Sequence, residues 1–315
     1  MSTTTEQVTD WWSTAISDIS PGVIRLHGYP VEQLIGRLSF ADTIWLMLRG
    51  DLPSPGQSAL FEAALVSGVD HGPQAPSIAA ARMAATCGVG LNTAVATGVG
   101  LLGDVHGGAG QQCMAVLADI RQRTAPTALT GPNPTGADRT GPDPTEPDPT
   151  GPDPTEPDLT GRGLAGPGLT EAVSRVLAEY RVARRYVPGF GHRFHPRDPR
   201  RDPLVRAVED AVRDGVVEGA YLRIGLEIER LLAPVPMNVD GATAIVYSEL
   251  GFAPELGRGL FVVSRAVGVL AHAWEEHGQG RRIKGPIPPP LLPAYRGPKP
   301  RDLPLPGAEA PRPAH

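Results

Sequence analysis

The sequence predicts an almost entirely α-helical fold. Between proline-rich and glycine-rich breaks, most segments place apolar residues three or four positions apart, which aligns them on one face of a helix. No segment shows a convincing alternation of apolar and polar residues, the pattern of a half-buried strand. Hydrophobic residues make up 41% of the chain but aromatic residues only 5%, so we expect helices that pack through alanine, leucine and valine.

The predicted helices follow one another with clear breaks. The segment from Asp51 to Pro55 contains two prolines and ends the second helix. Ser77, directly after Pro76, is a candidate N-cap for the fourth helix. The fifth is rich in small residues, which suits close packing between helices. The predicted helical ranges are 30–37, 40–49, 56–66, 76–87, 91–102, 110–123, 169–186, 202–214, 221–232, 242–250 and 258–277.

An unusual segment, 124–168, interrupts this pattern. It includes two nearly identical ten-residue repeats, 141–150 and 151–160, with a proline every two or three residues. Proline at that density prevents both helix and sheet hydrogen bonding, and the segment offers little apolar surface to bury. We predict a disordered Pro/Thr/Asp-rich insert, either an inert expansion or a partner-binding segment. A second proline-rich stretch, 286–315, is predicted to be a C-terminal tail.

Charge and cysteine content exclude several classes of protein. The net charge is −5, and the insert accounts for all of it, with seven acidic residues against two arginines. The balanced remainder disfavours a nucleic-acid-binding protein, which would usually carry a basic excess. The two cysteines form no CxxC pair, the N-terminal residues do not resemble a signal peptide, and no 18-residue apolar run occurs. We therefore expect a cytoplasmic protein with no membrane partner.

One segment has the chemistry of a small-acid site. In Pro188-Gly-Phe-Gly-His192-Arg193, a histidine lies between glycines and arginines, and Arg200 follows soon after. Glycine permits close approach of a backbone, histidine transfers protons near neutral pH, and arginine binds carboxylates with two hydrogen bonds. This pattern favours acid–base chemistry on a polycarboxylate, although a structural turn is an equal alternative.

Four further segments carry candidate site residues. His106 lies in a glycine-rich turn that opens a helix, where the positive end of the helix dipole favours a neutral, hydrogen-bond-donating ring. Asp240 comes just before a helix, and His71 lies in a turn between two others. Arg265 is inside an otherwise apolar helix, where a charge needs a partner. The simpler interpretations are a satisfied polar histidine, a plain N-cap and an arginine that extends to water.

Taken in order, these segments resemble the citrate synthase superfamily, which includes citrate synthases, 2-methylcitrate synthases and citryl-CoA lyases. The resemblance runs from about residue 21 to residue 286, outside the insert. Its blocks are His27-Gly-Tyr-Pro-Val-Glu-Gln-Leu34, Arg49-Gly-Asp-Leu-Pro53, Asp70-His71, His106-Gly-Gly-Ala109, Gly189–Arg193 with Asp198–Arg200, Asn238-Val-Asp240 and Ser264-Arg265.

The resemblance implies a two-domain helical fold with the active site in a cleft. The expected large domain combines 1–105 and 244–315, and the smaller domain is 106–243. The implied reaction is a Claisen-like condensation of acetyl-CoA with oxaloacetate to citrate and CoA. Citryl-CoA cleavage and 2-methylcitrate synthesis are the alternatives within the family. The resemblance also implies a homodimer, no metal and no permanently bound cofactor, because coenzyme A enters as the thioester substrate.

The resemblance also implies a role for each candidate residue. Asp240 matches the base that removes the methyl proton, and His106 matches the hydrogen-bond donor to the thioester oxygen. His192 matches the group that polarises the oxaloacetate ketone. The implied substrate-binding residues are His71, Arg200 and Arg265.

Several positions depart from the family pattern. Gly110 replaces an asparagine, and Gly241-Ala242-Thr243 follow the catalytic aspartate in place of the usual Phe-Tyr-Ser. An arginine that the family takes from the neighbouring subunit corresponds to Gly285, so Lys284 or Arg282 would have to replace it. Acyl-CoA chemistry is still expected despite these changes. The identity of the acyl group and the direction of the reaction stay open.

Three interpretations from other classes compete with this one. Gly98-Val-Gly-Leu-Leu-Gly103 matches the dinucleotide-binding pattern, but it ends a helix where that motif must follow a strand. His192 and His195 have metal-like spacing without a local carboxylate or cysteine ligand. The third alternative is a catalytically silent scaffold that presents the acidic insert to a partner.

Overall fold

The predicted helical architecture is confirmed. The computed structural model describes residues 9–124, 167–285, 287–288, 290–291 and 293–303, so most of the predicted insert and much of the tail lie outside it. The helices are α1 Val31–Leu34, α2 Phe40–Arg49, α3 Pro55–Gly68, α4 Pro76–Thr86, α5 Leu91–Gly100, α6 Ala109–Thr124, α7 Pro167–Val182, α8 Arg201–Arg213, α9 Ala220–Leu232, α10 Val239–Glu249 and α11 Gly257–Gly278, with a 3₁₀ turn at Pro254–Leu256.

Strands are present where the sequence analysis expected none. β1 Ser17–Ser20, β2 Val23–Leu26 and β3 Tyr29–Pro30 form a small antiparallel sheet in that order. Asp18 pairs with Arg25 across the first two strands, and their side chains form an ion pair of 2.7 Å. These strands are mostly exposed, so no buried face imposes an apolar–polar alternation on the sequence.

α10 is the central helix of the fold. It packs against α3, α6, α8 and α9, and most of its residues are buried. Phe61 of α3 and Trp45 of α2 extend the same core in an edge-to-face pair with ring centroids 5.7 Å apart. The core therefore runs across the predicted boundary between the large and small domains, whose residue ranges stay a prediction.

α11 organises a second hydrophobic cluster with α4 and α5. Its buried side chains include Arg265 and Glu276 as well as small apolar residues. By length and composition alone, Pro254–Gly278 is apolar enough to cross a membrane, a test that core helices of soluble proteins also pass. The predicted absence of a membrane partner stays a prediction.

Candidate active site

A short backbone ladder joins the glycine-rich loop to the segment before α10. The N–H of Gly191 donates to the carbonyl of Pro236 at 2.7 Å, and the N–H of Asn238 donates to the carbonyl of Gly189 at 3.0 Å. The Asn238 side chain adds a 2.6 Å hydrogen bond to the Gly191 carbonyl. His192 follows Gly191 directly, and Asp240 lies two residues after Asn238, so the ladder ties together the two segments that carry these predicted catalytic residues.

The glycines of this loop serve backbone packing. Gly189 has a φ of 86°, and a Cβ there would lie 2.8 Å from the Cα of Gly241. A Cβ on Gly241 would lie 2.5 Å from the carbonyl oxygen of Gly189. Both positions therefore require glycine because the two chain segments touch. The glycines of this loop predict that another group approaches its backbone closely. That group is the backbone of a second chain segment, at Gly241.

His192 is held as one defined tautomer. Its Nδ1 accepts the backbone N–H of Phe194 at 3.0 Å and that of His195 at 3.1 Å. A nitrogen that accepts hydrogen bonds carries no proton, so the neutral ring is protonated on Nε2. Burial, together with the charges of His195 and Arg200, lowers the pKa of His192. The ring is therefore a neutral donor through Nε2.

His106 is held as the opposite tautomer. Its Nε2 accepts the backbone N–H of Ser77 at 3.2 Å, and the Ser77 hydroxyl lies 2.9 Å from the same nitrogen. The proton of the neutral ring is therefore on Nδ1. Burial and the charge of Arg265 lower the pKa of His106. The prediction of Ser77 as an N-cap is wrong, because Ala75 occupies that position and the buried Ser77 contacts His106 instead.

Asp240 lies inside the first turn of α10, which begins three residues earlier than predicted. Asn238 is the N-cap, and its side chain accepts the N–H groups of Asp240 at 2.9 Å and Gly241 at 3.2 Å. The alternative interpretation of Asp240 as a plain cap is therefore wrong, because the carboxyl group of Asp240 does not cap the helix. Burial raises the pKa of Asp240, while the charges of Arg200 and Arg265 oppose that rise.

Arg265 does not extend to water, so that alternative is also wrong. Its side chain is buried, and its Nε donates to the carbonyl of Gly68 at 2.8 Å. The guanidinium lies over the ring of Phe261, with the central carbon 4.7 Å from the ring centroid. Its charge acts on His71, His106 and Asp240.

Asp198 is a site residue to which the sequence analysis gave no role. It is buried, and its carboxylate binds Arg200 through two hydrogen bonds of 2.9 Å while also accepting the N–H of Val239 at 3.0 Å. Although burial opposes it, the Arg200 guanidinium and these backbone groups lower the pKa of Asp198 to about 2. Asp198 therefore ties the predicted carboxylate-binding arginine to the start of α10. Its position two residues before Arg200 was the feature of the sequence that could have predicted this ion pair.

His71 completes the cluster. Its ring lies edge-to-face with that of His192 at a centroid distance of 5.4 Å. Burial lowers the pKa of His71, as do the charges of Arg200, Arg265 and His192. The two arginines link the predicted site residues: Arg200 acts electrostatically on His71, His192 and Asp240, and Arg265 acts on His71, His106 and Asp240.

The competing site interpretations gain little support from the described residues. Among them, no group of three His, Cys, Asp or Glu side chains is arranged to hold a metal ion, and the metal-free expectation stays a prediction. Gly98 is inside α5, where a Cβ would meet the carbonyl of Ser77 at 2.7 Å, so it serves helix packing. Lys284, one of the two residues expected to replace the family's inter-subunit arginine, forms a 2.7 Å ion pair with Glu276 of its own chain.

Known proteins are similar to this chain in sequence and fold. A family model described as "Citrate synthase, C-terminal domain" matches residues 7–69 and 53–286. The chain is 27% identical to citrate synthase of Haloferax volcanii over 252 residues, which cover 78% of this chain and 54% of that protein. It is 25% identical to the glyoxysomal citrate synthase of Cucurbita maxima over 80% of this chain and 42% of that protein. The chain thus spans about half the length of these relatives.

A solved structure matches over nearly its whole length. Citryl-CoA lyase of Hydrogenobacter thermophilus is 29% identical, with a TM-score of 0.70 over 93% of this chain and 97% of that one. The sequence blocks, the helical fold and the family match agree with one another. The chain therefore belongs to the citrate synthase family.

Proposed function

We propose that this protein makes or cleaves the carbon–carbon bond between an acyl-CoA and oxaloacetate. One observation carries the proposal: a carboxyl group with a raised pKa lies in one cluster with two neutral histidines and two arginines. Carbon–carbon chemistry of this kind needs a base for a weak carbon acid, hydrogen-bond donors for two carbonyl oxygens, and cations for carboxylates. Membership of the citrate synthase family supports the same assignment.

In the condensation direction, Asp240 removes a proton from the carbon next to the thioester carbonyl. The electron pair of that C–H bond moves toward the carbonyl oxygen, which Nδ1–H of His106 stabilises. The carbon then attacks the oxaloacetate ketone, whose oxygen accepts a hydrogen bond from Nε2–H of His192 as negative charge develops on it. The proton that Asp240 removed ends on this oxygen as the product hydroxyl, so Asp240 is ionised again and both rings stay neutral. Cleavage runs the same steps in reverse. The tautomers fixed by Ser77 and by the loop after His192 supply a proton at both required nitrogens.

The carboxylates of oxaloacetate are assigned to Arg200, Arg265 and His71. Arg200 already binds Asp198 through Nε and one terminal nitrogen, and its other terminal nitrogen donates to the carbonyl of Ser67 at 3.4 Å. It would therefore approach the substrate through the remaining N–H of that second nitrogen. Arg265 donates only its Nε to the described backbone, which leaves both terminal nitrogens for a bidentate contact. We therefore expect Arg265 to contribute more to carboxylate affinity than Arg200. No permanently bound cofactor is needed, because coenzyme A arrives and leaves with the substrate.

Three activities fit this chemistry: citrate synthesis, citryl-CoA cleavage and 2-methylcitrate synthesis. A citrate synthase also hydrolyses the citryl-CoA thioester, whereas a citryl-CoA lyase starts from that thioester and releases acetyl-CoA and oxaloacetate. The match with citryl-CoA lyase over nearly the full length of both chains favours cleavage. 2-Methylcitrate synthesis requires the same cluster with a propionyl group. A silent scaffold has no use for two histidines fixed as opposite tautomers.

An assay of the purified protein in both directions tests the proposal. For a lyase, we expect acetyl-CoA to form from citryl-CoA, with little free CoA released from acetyl-CoA and oxaloacetate. A synthase would release free CoA from acetyl-CoA or propionyl-CoA in the presence of oxaloacetate. Turnover of none of these substrates by a folded protein would refute the proposed function.

We also propose a homodimer. The exposed side of α11 carries an apolar stripe at helical spacing, formed by Val263, Val267, Leu270 and Trp274, and Trp274 is 65% exposed. A second copy of this chain would cover this apolar stripe in a homodimer. Sedimentation at micromolar concentration should show a dimer that Trp274→Glu weakens, while Glu255→Lys, at an exposed position outside the stripe, should have no effect.

A further inference from the structure

One face of α11 holds the end of α3 and the loop that follows it. The Ser264 hydroxyl donates to the carbonyl of Leu65, and Arg265 donates to that of Gly68. One turn later on α11, a Cβ on Gly268 would overlap the carbonyl oxygen of Val69, so this glycine permits direct contact with the loop. Successive turns of α11 therefore contact the end of α3 and the start of its connection to α4.

The next turn of the same face contributes His272. Its Nε2 lies 3.2 Å from Oδ1 of Asp70, the residue before His71. The other ring nitrogen, Nδ1, is buried and makes no hydrogen bond within the described residues; the nearest carboxylate, that of Glu275, is 3.8 Å away. Asp70 is thus the polar partner that the geometry gives this ring. A carboxylate accepts, so Nε2 of His272 donates.

Asp70 transmits this contact to the active site. Its Oδ2 accepts the N–H of Gly72 at 3.1 Å, which closes the turn around His71. Although burial opposes it, hydrogen bonds from the backbone of Gly72 and His71 and from His272 lower the pKa of Asp70. The same carboxylate faces the charge of Arg265. A shift of Asp70 would therefore disturb the turn that carries His71 and change the electrostatic field at Arg265.

We propose that His272 is a positioning residue, which sets His71 and Arg265 for oxaloacetate through Asp70. This inference rests on the proposed function, because it assigns His272 to the oxaloacetate side of the same site. His272 contacts no reacting atom in the proposed mechanism. Its contribution is to hold the turn around His71 against the helix that carries Arg265, so that both groups meet the same substrate.

Two substitutions separate positioning from bulk packing. His272→Leu fills the space but removes the donor, and we expect the KM for oxaloacetate, or for citryl-CoA in cleavage, to rise on the order of tenfold to hundredfold. His272→Gln places an amide N–H near the position of Nε2 and should restore most of the affinity. The KM for acetyl-CoA should change little. His277→Leu, on the same helix but exposed, is the matched control.

A binding readout makes the two proposals separable. Nitrogen-15 NMR of the His71 ring should change in His272→Leu, stay close to wild type in His272→Gln, and be unaffected by His277→Leu. If the wild-type protein turns over no substrate but the His71 signal behaves this way, the proposed function fails and the positioning contact stands. An unchanged His71 signal in folded His272→Leu, or equal rises in both KM values, would overturn the inference.

Discussion

His106 and His192 present the same chemistry from regions built in different ways. Both rings are neutral donors, but the proton is on Nδ1 in His106 and on Nε2 in His192. The partners of His192 are N–H groups two and three residues later in its own loop. The partner of His106 is the N–H of Ser77, which is 29 residues away on α4.

This difference shows two routes to a defined tautomer. A local turn carries its own hydrogen-bond donors, so His192 keeps its tautomer wherever the loop is placed. His106 depends on the packing of α4 beside the glycine-rich turn, so its tautomer is a product of the fold. Local unfolding of either α4 or α6 would release His106, whereas His192 would be released only by loss of its loop.

The largest expected effect comes from Asp240, the proposed base. Asp240→Asn keeps the size of the side chain but cannot accept the carbon-bound proton. We expect turnover to fall on the order of 10²–10⁴-fold, with little change in oxaloacetate affinity. Exchange of the acetyl-CoA methyl protons with deuterium, in the presence of an oxaloacetate analogue, should vanish. Persistent exchange would assign the base to another residue.

Exchanging amide side chains tests the two tautomers directly. The amide nitrogen of asparagine occupies about the position of Nδ1, and that of glutamine about the position of Nε2. We therefore expect His106→Asn to keep more activity than His106→Gln, by about tenfold. For His192 the order should reverse, with glutamine better than asparagine. The same preference at both positions, measured by steady-state turnover, would contradict the assigned tautomers.

The pH dependence of stability tests the burial of both rings. Their folded-state pKa values are lowered from 6.5, so the unfolded chain binds more protons once the pH falls below about 6.5. The free energy of unfolding should therefore decline as the pH falls through the window between 6.5 and the lower folded values. The raised pKa of Asp240 acts in the opposite direction. Urea unfolding of the wild type and of His106→Gln at several pH values isolates the contribution of His106. If the free energies of unfolding of the two proteins change with pH in parallel, His106 makes no such contribution.

The smallest effect is expected for Ser77→Ala. This change removes the hydroxyl beside His106 but keeps the backbone N–H that fixes the tautomer. Turnover should fall by less than about tenfold, because one neutral hydrogen bond is lost and the other is kept. Steady-state kinetics of Ser77→Ala, compared with those of His106→Asn, would show whether the hydroxyl or the backbone N–H of Ser77 is the more important contact to His106. A loss as large as that of His106→Gln would assign the tautomer to the hydroxyl.

The sequence alone determined the helices and the order of the motifs, and it named six candidate site residues whose roles stay a prediction. Amphipathic spacing identified the helices because each buries one face, and glycine and proline marked their ends. The exposed sheet at β1–β3 escaped detection because nothing buried constrains its pattern. The tautomer of His192 is also encoded locally, by donors within three residues.

Tertiary structure decided the rest. Asp198 reaches Arg200 locally but also the N–H of Val239, which is 41 residues away, and no spacing in the sequence predicts that contact. The partner of His106 on α4 and the contact of His272 with Asp70 likewise exist only once helices pack. Hydrogen bonds within a turn follow from the order of residues, whereas those between helices depend on which faces are buried together.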